Sequence, residues 1–417
     1  MSGARQGTLT IRFSQSFKGF RSRALVALLL FACADLSFRA YADSGRFDRF
    51  EAANHRWTWW QTKVYRELPY TPDVVMFGSS LLTRIVNEGE STYLNRTVNV
   101  TKHNRSRHLE DAIQANTGVP IKTYAFNLPG MHASDAAVLV NALLRDKTPS
   151  TIIYTIAPRD FLDNLLDAPY ATEPFELMSH ISDVGELAPN ARITKEEKFS
   201  FFLQDFYDRL TALGNCKTEL ATIFQRKWRE TSLPVLEAHV PTVEHPLTPG
   251  VVGIRTSAFD YPDHLNLPPE DVNKIEHINN FQCYQFCYQP FRPKIYNAQL
   301  YYLDYILKFA HERGVNVILV NMPLRKDNLN AMMPNFWEMY KADIKKHAAQ
   351  YNAQFVDLFD TNEFADKDFC DTVHLTGRGS IKLVDKMANA VSTSVASQTL
   401  AHSAGRSSQV AGRSQAH

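Results

Sequence analysis

Thr151-Ile152-Ile153-Tyr154-Thr155-Ile156 leans apolar along its whole length, with no strict alternation of wet and dry positions. A strand with one solvated face alternates; a parallel strand covered by helices on both faces does not. Comparable runs lie at 73–78, 121–126, 315–322 and 353–358. Stretches of helical periodicity sit between and around them, at 46–67, 106–117, 134–145, 295–313 (ended by Gly314), 334–351 and 377–396. Strands that alternate with helices predict an α/β fold, a three-layer α/β/α domain around a mostly parallel sheet. Residues 165–290 break the rhythm and read as a largely helical insertion, with helices at 195–213 and 217–230. A proline-bearing loop at 234–250 and an aromatic, cysteine-containing segment at 281–291 complete it. The expected domain runs over 46–398. The tail at 399–417, rich in Ser, Ala, Gly and Gln, is expected to be disordered.

The first 45 residues read as an address. Arg12, Lys18, Arg21 and Arg23 precede an apolar run over residues 24–34. A spanning helix wants about 20 apolar residues, and Asp35 and Arg39 interrupt any extension. The run therefore suits a signal-peptide core, with Ala40-Tyr41-Ala42 as a small-x-small cleavage site. Leu30-Phe31-Ala32-Cys33 is an imperfect lipidation site, because Phe31 is large for its position. An uncleaved anchor is the other reading, and Trp57, Trp59 and Trp60 would then suit a membrane interface or a helix packed on the domain. Either way the chain is expected to be exported, whether periplasmic, extracytoplasmic or membrane-anchored. Cys216, Cys283, Cys287 and Cys370 would remain after cleavage, as disulfide partners in an oxidising compartment or as free thiols.

A net charge of +1, mixed in sign along the chain, gives no footprint for nucleic acid. No cysteine–histidine array or phosphate loop points to a metal or cofactor, and none is expected.

Two short segments carry the chemistry. Gly78-Ser79-Ser80-Leu81 follows the first apolar run, and Asp371-Thr372-Val373-His374 lies just before the last helix. Alone, the first is an ordinary turn and the second an ordinary helix cap. Together they supply what a serine nucleophile needs: an imidazole to take its proton and a carboxylate to hold that imidazole in one tautomer. A serine on a turn leaving a strand also lies at the carboxyl edge of the sheet, where open α/β sheets bind their ligands.

Four ordered blocks make the chain resemble the SGNH, or GDSL-type, hydrolases over roughly 70–165 and 295–395. Gly78-Ser79-Ser80-Leu81 matches the nucleophile block, with Ser79 where the family usually has aspartate. Asn127-Leu128-Pro129-Gly130 is similar to the second block, Ala157-Pro158-Arg159-Asp160 occupies the third, and Asp371-Thr372-Val373-His374 fits the last. The resemblance implies an SGNH-like, flavodoxin-like sheet. Ser80 would be nucleophile, His374 general base and Asp371 its orienter, with the Ser80 and Gly130 amides as oxyanion donors. The third block departs from the family by carrying Arg159 where an asparagine amide is usual. Arg159 then either stabilises an oxyanion, binds an anionic group of the substrate, or pairs with Asp160 or Asp163 as structure. Asn127 and Arg325, each at a strand end, are further oxyanion or substrate-binding candidates. His132 faces either the cleft or solvent, solvent being the simpler expectation, and Asp135 suits the start of a helix.

Gly-Ser-Ser-Leu after a membrane-proximal start also resembles envelope acyl-transfer proteins that work with membrane-bound O-acyltransferases. That likeness implies an exported serine-dependent O-acyltransferase or esterase. Its substrate would be an acylated cell-envelope glycan or a lipid-linked donor, its partner a membrane-bound O-acyltransferase. The alternative is a catalytically silent glycan-binding or assembly scaffold on the same fold.

Overall fold

A computed structural model of the chain describes residues 16–185, 187–192, 194–236, 264–271, 275, 277–359 and 363–414. The loop expected at 234–250 falls, beyond Leu236, outside the described residues, as does Arg12.

The five apolar runs are five strands: β1 (Val74–Gly78), β2 (Thr123–Asn127), β3 (Thr151–Ile156), β4 (Asn316–Asn321) and β5 (Gln354–Asp357). All pair in parallel, in the spatial order β2-β1-β3-β4-β5. Every residue of β1, β2 and β3 is buried, whereas β5, at the sheet edge, is only half-covered. Helices Arg107–Thr117 and Gly377–Ser414 pack together, and Ala133–Leu143 packs on Pro293–Glu312. The expected α/β fold with a parallel, flavodoxin-like sheet and a helical insertion is therefore present. The strand order reverses direction between β1 and β3. That reversal opens a crevice at the carboxyl edge of the sheet, the usual ligand position in such folds.

The start of that crevice depends on a glycine. A Cβ on Gly78 would overlap Thr155 Oγ1 on β3 and lie 2.7 Å from Leu82 Cβ. Only a hydrogen there lets the chain turn from β1 into the helical stretch that begins at Ser80 and continues, through a π turn at Ile85–Gly89, to Tyr93.

Several boundaries differ from the sequence reading. The helix expected over 46–67 is two, Arg49–Ala52 and Trp57–Glu67. The His55 ring stacks on Trp59 at 3.6 Å, and Arg56 is extended at the second helix's start. The last helix does not stop near 396 but runs from Gly377 to Ser414, through residues expected to be disordered. That segment contains no proline, and its glycines, Gly405 and Gly412, each weaken a helix by only about 1 kcal/mol.

The chain forms two compact units, Met1–Ala52 with Phe199–Pro234, and Ala53–Lys198 with Val235–His417. The sheet belongs to the second. The first is helical in its described part. Its N-terminal helix spans Ser16–Asp43, and Arg23–Asp43 is long and apolar enough to cross a membrane by length and composition. The expected interruption at Asp35 and Arg39 does not occur. Asp35 is buried and accepts the Leu213 N–H at 2.8 Å, while Arg39 donates to the Leu210 carbonyl at 2.9 Å. Both charges are satisfied without ending the helix. All five cysteines carry free thiols.

Gly78→Ala is expected to destabilise the second unit by at least the ~1–3 kcal/mol typical of overpacking, measured by urea denaturation. A Gly78→Ala chain as stable as the wild type would contradict the close approach described.

Candidate active site

The sheet register places Gly78 beside Asn127, and the Leu128 N–H donates to the Gly78 carbonyl at 3.0 Å. The loop leaving β2 therefore starts alongside the turn leaving β1. On that turn, Ser80 is the first residue of its helix, so its N–H is one of the amides that a helix leaves without an internal acceptor. Gly130 follows on the neighbouring loop with φ +77°, a left-handed conformation that glycine adopts without strain.

The Asp371–His374 segment is a closed loop, with the Cys370 N–H donating to the His374 carbonyl at 2.9 Å. Asp371 Oδ1 accepts the N–H groups of Val373 (2.8 Å) and His374 (2.7 Å). Its other oxygen, Oδ2, lies 2.6 Å from His374 Nδ1. The three-residue spacing thus lets one carboxylate both close its own turn and hold the ring. The opposite nitrogen, His374 Nε2, lies 2.7 Å from Ser80 Oγ. Asp371 and His374 are buried. Burial works to raise the Asp371 carboxyl, but the His374 ring and the two backbone N–H groups outweigh it and hold it below the ordinary carboxylate range. The arrangement can do nucleophile–base–orienter chemistry: a hydroxyl, an imidazole fixed in orientation and a carboxylate that stays ionised.

Residues that the sequence reading passed over hold this loop in place. Asn280 accepts both the Thr372 N–H (3.1 Å) and the Thr372 hydroxyl (2.6 Å) on its Oδ1. Asn328 donates to Thr372 Oγ1 at 3.2 Å, and the Ile278 N–H donates to the Cys370 carbonyl at 2.9 Å. Gln61 holds the second block in the same way. Its Nε2 donates to the Asn127 carbonyl and its Oε1 accepts the Asn127 N–H, both at 3.0 Å. Asn280 lies in the region read only as an insertion and Gln61 among tryptophans on a helix, so no local motif marks either.

The other candidates are placed differently. Asn127 is fully buried and its amide nitrogen is directed to Asn104 Oδ1 and the Ala125 carbonyl, each at 3.4 Å, as a structural residue would be. Arg325 donates its backbone N–H to the Thr372 carbonyl at 3.1 Å, while its guanidinium pairs with Asp327 at 3.2 Å and lies 3.7 Å from Asp366. Arg159 pairs with Asp163, its Nε and Nη2 each 2.8 Å from the same carboxylate oxygen. Of the roles weighed for Arg159, this is the pairing one.

His132 is not at the surface. It is buried, with Nδ1 3.7 Å from Asp135 and Nε2 3.6 Å from Asp163. Burial works against its charge, but the two carboxylates prevail and push it up to about 9. The simpler expectation fails because the ring lies between two buried carboxylates, Asp135 and Asp163, whose charge favours a buried polar neighbour over a solvated one. Asp135 does cap its helix, accepting the His132 N–H at 2.8 Å. Asp160 accepts the Ala157 N–H at 2.8 Å, and burial pushes its carboxyl up to about 7, against the opposing pull of His132 and Ser79. Buried Asp135, His132 and Asp163 and half-buried Arg159 thus form one row of charges that reaches the third block. Among the described residues no cluster of three or more His, Cys, Asp or Glu could hold a metal ion.

No protein-family model matches the chain, and no curated protein matches it in sequence.

His132 has its folded value above its ordinary 6.5. Its charge therefore stabilises the fold fully below about pH 6.5, and that contribution is lost as the pH rises through about 9. His132→Asn should cost on the order of 3 kcal/mol at pH 6 and much less at pH 10, read by urea denaturation beside the wild type. A cost that does not change with pH would contradict a charged His132.

Proposed function

We propose that the chain is an exported, serine-dependent acyl-transfer protein of the SGNH type, acting on acylated cell-envelope glycan. The observation that carries the proposal is the unbroken line from Asp371 Oδ2 through His374 to Ser80 Oγ, with links of 2.6 and 2.7 Å. In the proposed reaction Ser80 Oγ attacks the donor's ester carbonyl carbon as its proton passes to His374 Nε2. The Ser80 and Gly130 N–H groups stabilise the oxyanion that forms. The oxyanion then collapses, the bond between the acyl carbon and the donor's alkoxy oxygen breaks, and His374 returns the proton to the departing alcohol. An acyl-enzyme remains on Ser80. A sugar hydroxyl or water gives its proton to His374 and attacks the acyl carbon; the bond from that carbon to Ser80 Oγ breaks, and His374 returns the proton to Ser80.

The N-terminal helix favours an anchor over a cleaved signal. Helical structure continues through Ala40-Tyr41-Ala42, and Asp35 and Arg39 are both engaged with the Leu210–Leu213 segment. An anchored enzyme suits a lipid-linked donor, or acyl groups delivered by a membrane-bound O-acyltransferase. Arg159 speaks for the alternative, a silent glycan-binding or assembly scaffold. Held by Asp163, it does not replace the asparagine amide of the family's third block, and loss of one oxyanion donor typically costs ~10²–10³ in rate.

A fluorophosphonate probe applied to the full chain should label Ser80. Ser80→Ala and His374→Ala should abolish labelling, and Asp371→Asn should slow it by ~10⁴, the usual cost of losing the orienting carboxylate. A folded wild-type chain that takes no label would favour the scaffold.

A further inference from the structure

The helix Lys195–Leu210 has no buried residue, yet one side of it is apolar. Phe199, Phe202, Leu203, Phe206, Tyr207 and Leu210 recur at the spacing of a single helical face, and each is about half or more exposed. Six large side chains in one exposed stripe exceed what scattered surface hydrophobics produce.

What covers this face follows from where its helix ends. The Leu210 carbonyl accepts from Arg39, and the Leu213 N–H donates to Asp35, at 2.9 and 2.8 Å. Both partners lie on the exposed apolar helix Arg23–Asp43, within the same compact unit. A second tie, Arg49 to Glu219 at 3.1 Å, fixes the helix that follows. Phe38, Tyr41 and Phe47 cluster at the exit of the apolar helix, the Phe38 and Phe47 rings 5.1 Å apart. Of these, Tyr41 has the amphipathic ring that suits a membrane interface. If Arg23–Asp43 enters a bilayer, the stripe is tethered at the depth where an amphipathic helix lies in the interface. The other side of Lys195–Leu210 carries half-buried Phe201 beside lysine, arginine, glutamate and aspartate, so apolar insertion rather than attraction to anionic lipid supplies the binding.

We infer that Lys195–Leu210 is an interfacial helix whose aromatic face sits in the lipid bilayer beside the N-terminal anchor. The inference rests on the anchored form of the function proposed above, and not on the chemistry at Ser80. In this arrangement the insertion is a second membrane contact, one that fixes the orientation of its unit against the lipid surface rather than leaving it on a single pivot.

The test uses the full chain reconstituted into vesicles of phosphatidylcholine and phosphatidylglycerol. An environment-sensitive fluorophore is placed by bioorthogonal incorporation, leaving the cysteines untouched, at position 29, 203 or 204. Positions 29 and 203 should be blue-shifted and lose most of their emission to a shallow doxyl-labelled lipid. Position 204, on the polar side, should keep most of its emission. Phe206→Asp should reduce quenching at 203 while leaving fluorophosphonate labelling of Ser80 unchanged. Quenching at 29 but not at 203 overturns the interfacial helix and leaves the anchor standing. Absence of quenching at both positions overturns the two together. Shielding of 203 in native membranes without lipid quenching in the vesicles also overturns the inference, and assigns the face to a protein partner.

Discussion

The contact between Ser80 and His374 joins residues 294 positions apart, and the rest of the second unit is arranged so that it can be made. Neither side chain reaches the other by local geometry. Ser80 is set by β1, by the absent Cβ of Gly78 and by the helix that starts there. His374 is set by a turn that closes on the Asp371 carboxylate and is clamped through Thr372 by Asn280 and Asn328. A parallel sheet is what brings the two together. Successive strands all end at the same edge, so segments far apart in sequence meet there.

Segments leaving that same edge carry a second set of charges, and its logic differs. Asp135 and Asp163 flank His132, and Arg159 meets the same Asp163 oxygen, Oδ2, that His132 approaches. Such a cluster gives little net stability for the desolvation it costs, but removing one member leaves a buried charge without its partner. The arginine in the third block is therefore explained by its neighbours. Asp163 lies four residues along and accepts from two guanidinium nitrogens, and the ring of Tyr284 lies 5.8 Å away. An asparagine at position 159 would leave Asp163 with His132 as its cationic neighbour at 3.6 Å and the Leu165 N–H, which donates to Oδ1 at 2.9 Å.

Much of this was legible in the sequence, where local signals are strong. The apolar runs match the five strands of the parallel sheet, because a strand buried on both faces has little room for polar side chains; the short antiparallel pair Val98–Asn99 and Asn266–Leu267 left no such signal. The Gly78-Ser79-Ser80-Leu81 and Asp371-Thr372-Val373-His374 segments could be paired because each has its own local shape. The supports were not legible. Gln61, Asn280 and Asn328 act through bonds to backbone or hydroxyl groups on distant segments, and such bonds leave no periodicity. His132 was misplaced for the same reason, since its burial depends on Asp163, 31 positions later. At Asp35 and Arg39 a simple rule about charges in apolar helices missed tertiary partners near Leu210 that satisfy both.

The most direct test of the central claim is mass spectrometry of the full chain quenched early in its reaction with an activated acetyl ester. Peptide mapping should find one acetyl group on the peptide carrying Ser80, and none there in the His374→Ala chain. Acetylation confined to lysines, or equal acetylation of Ser80 with and without His374, would contradict an imidazole-activated serine at this site.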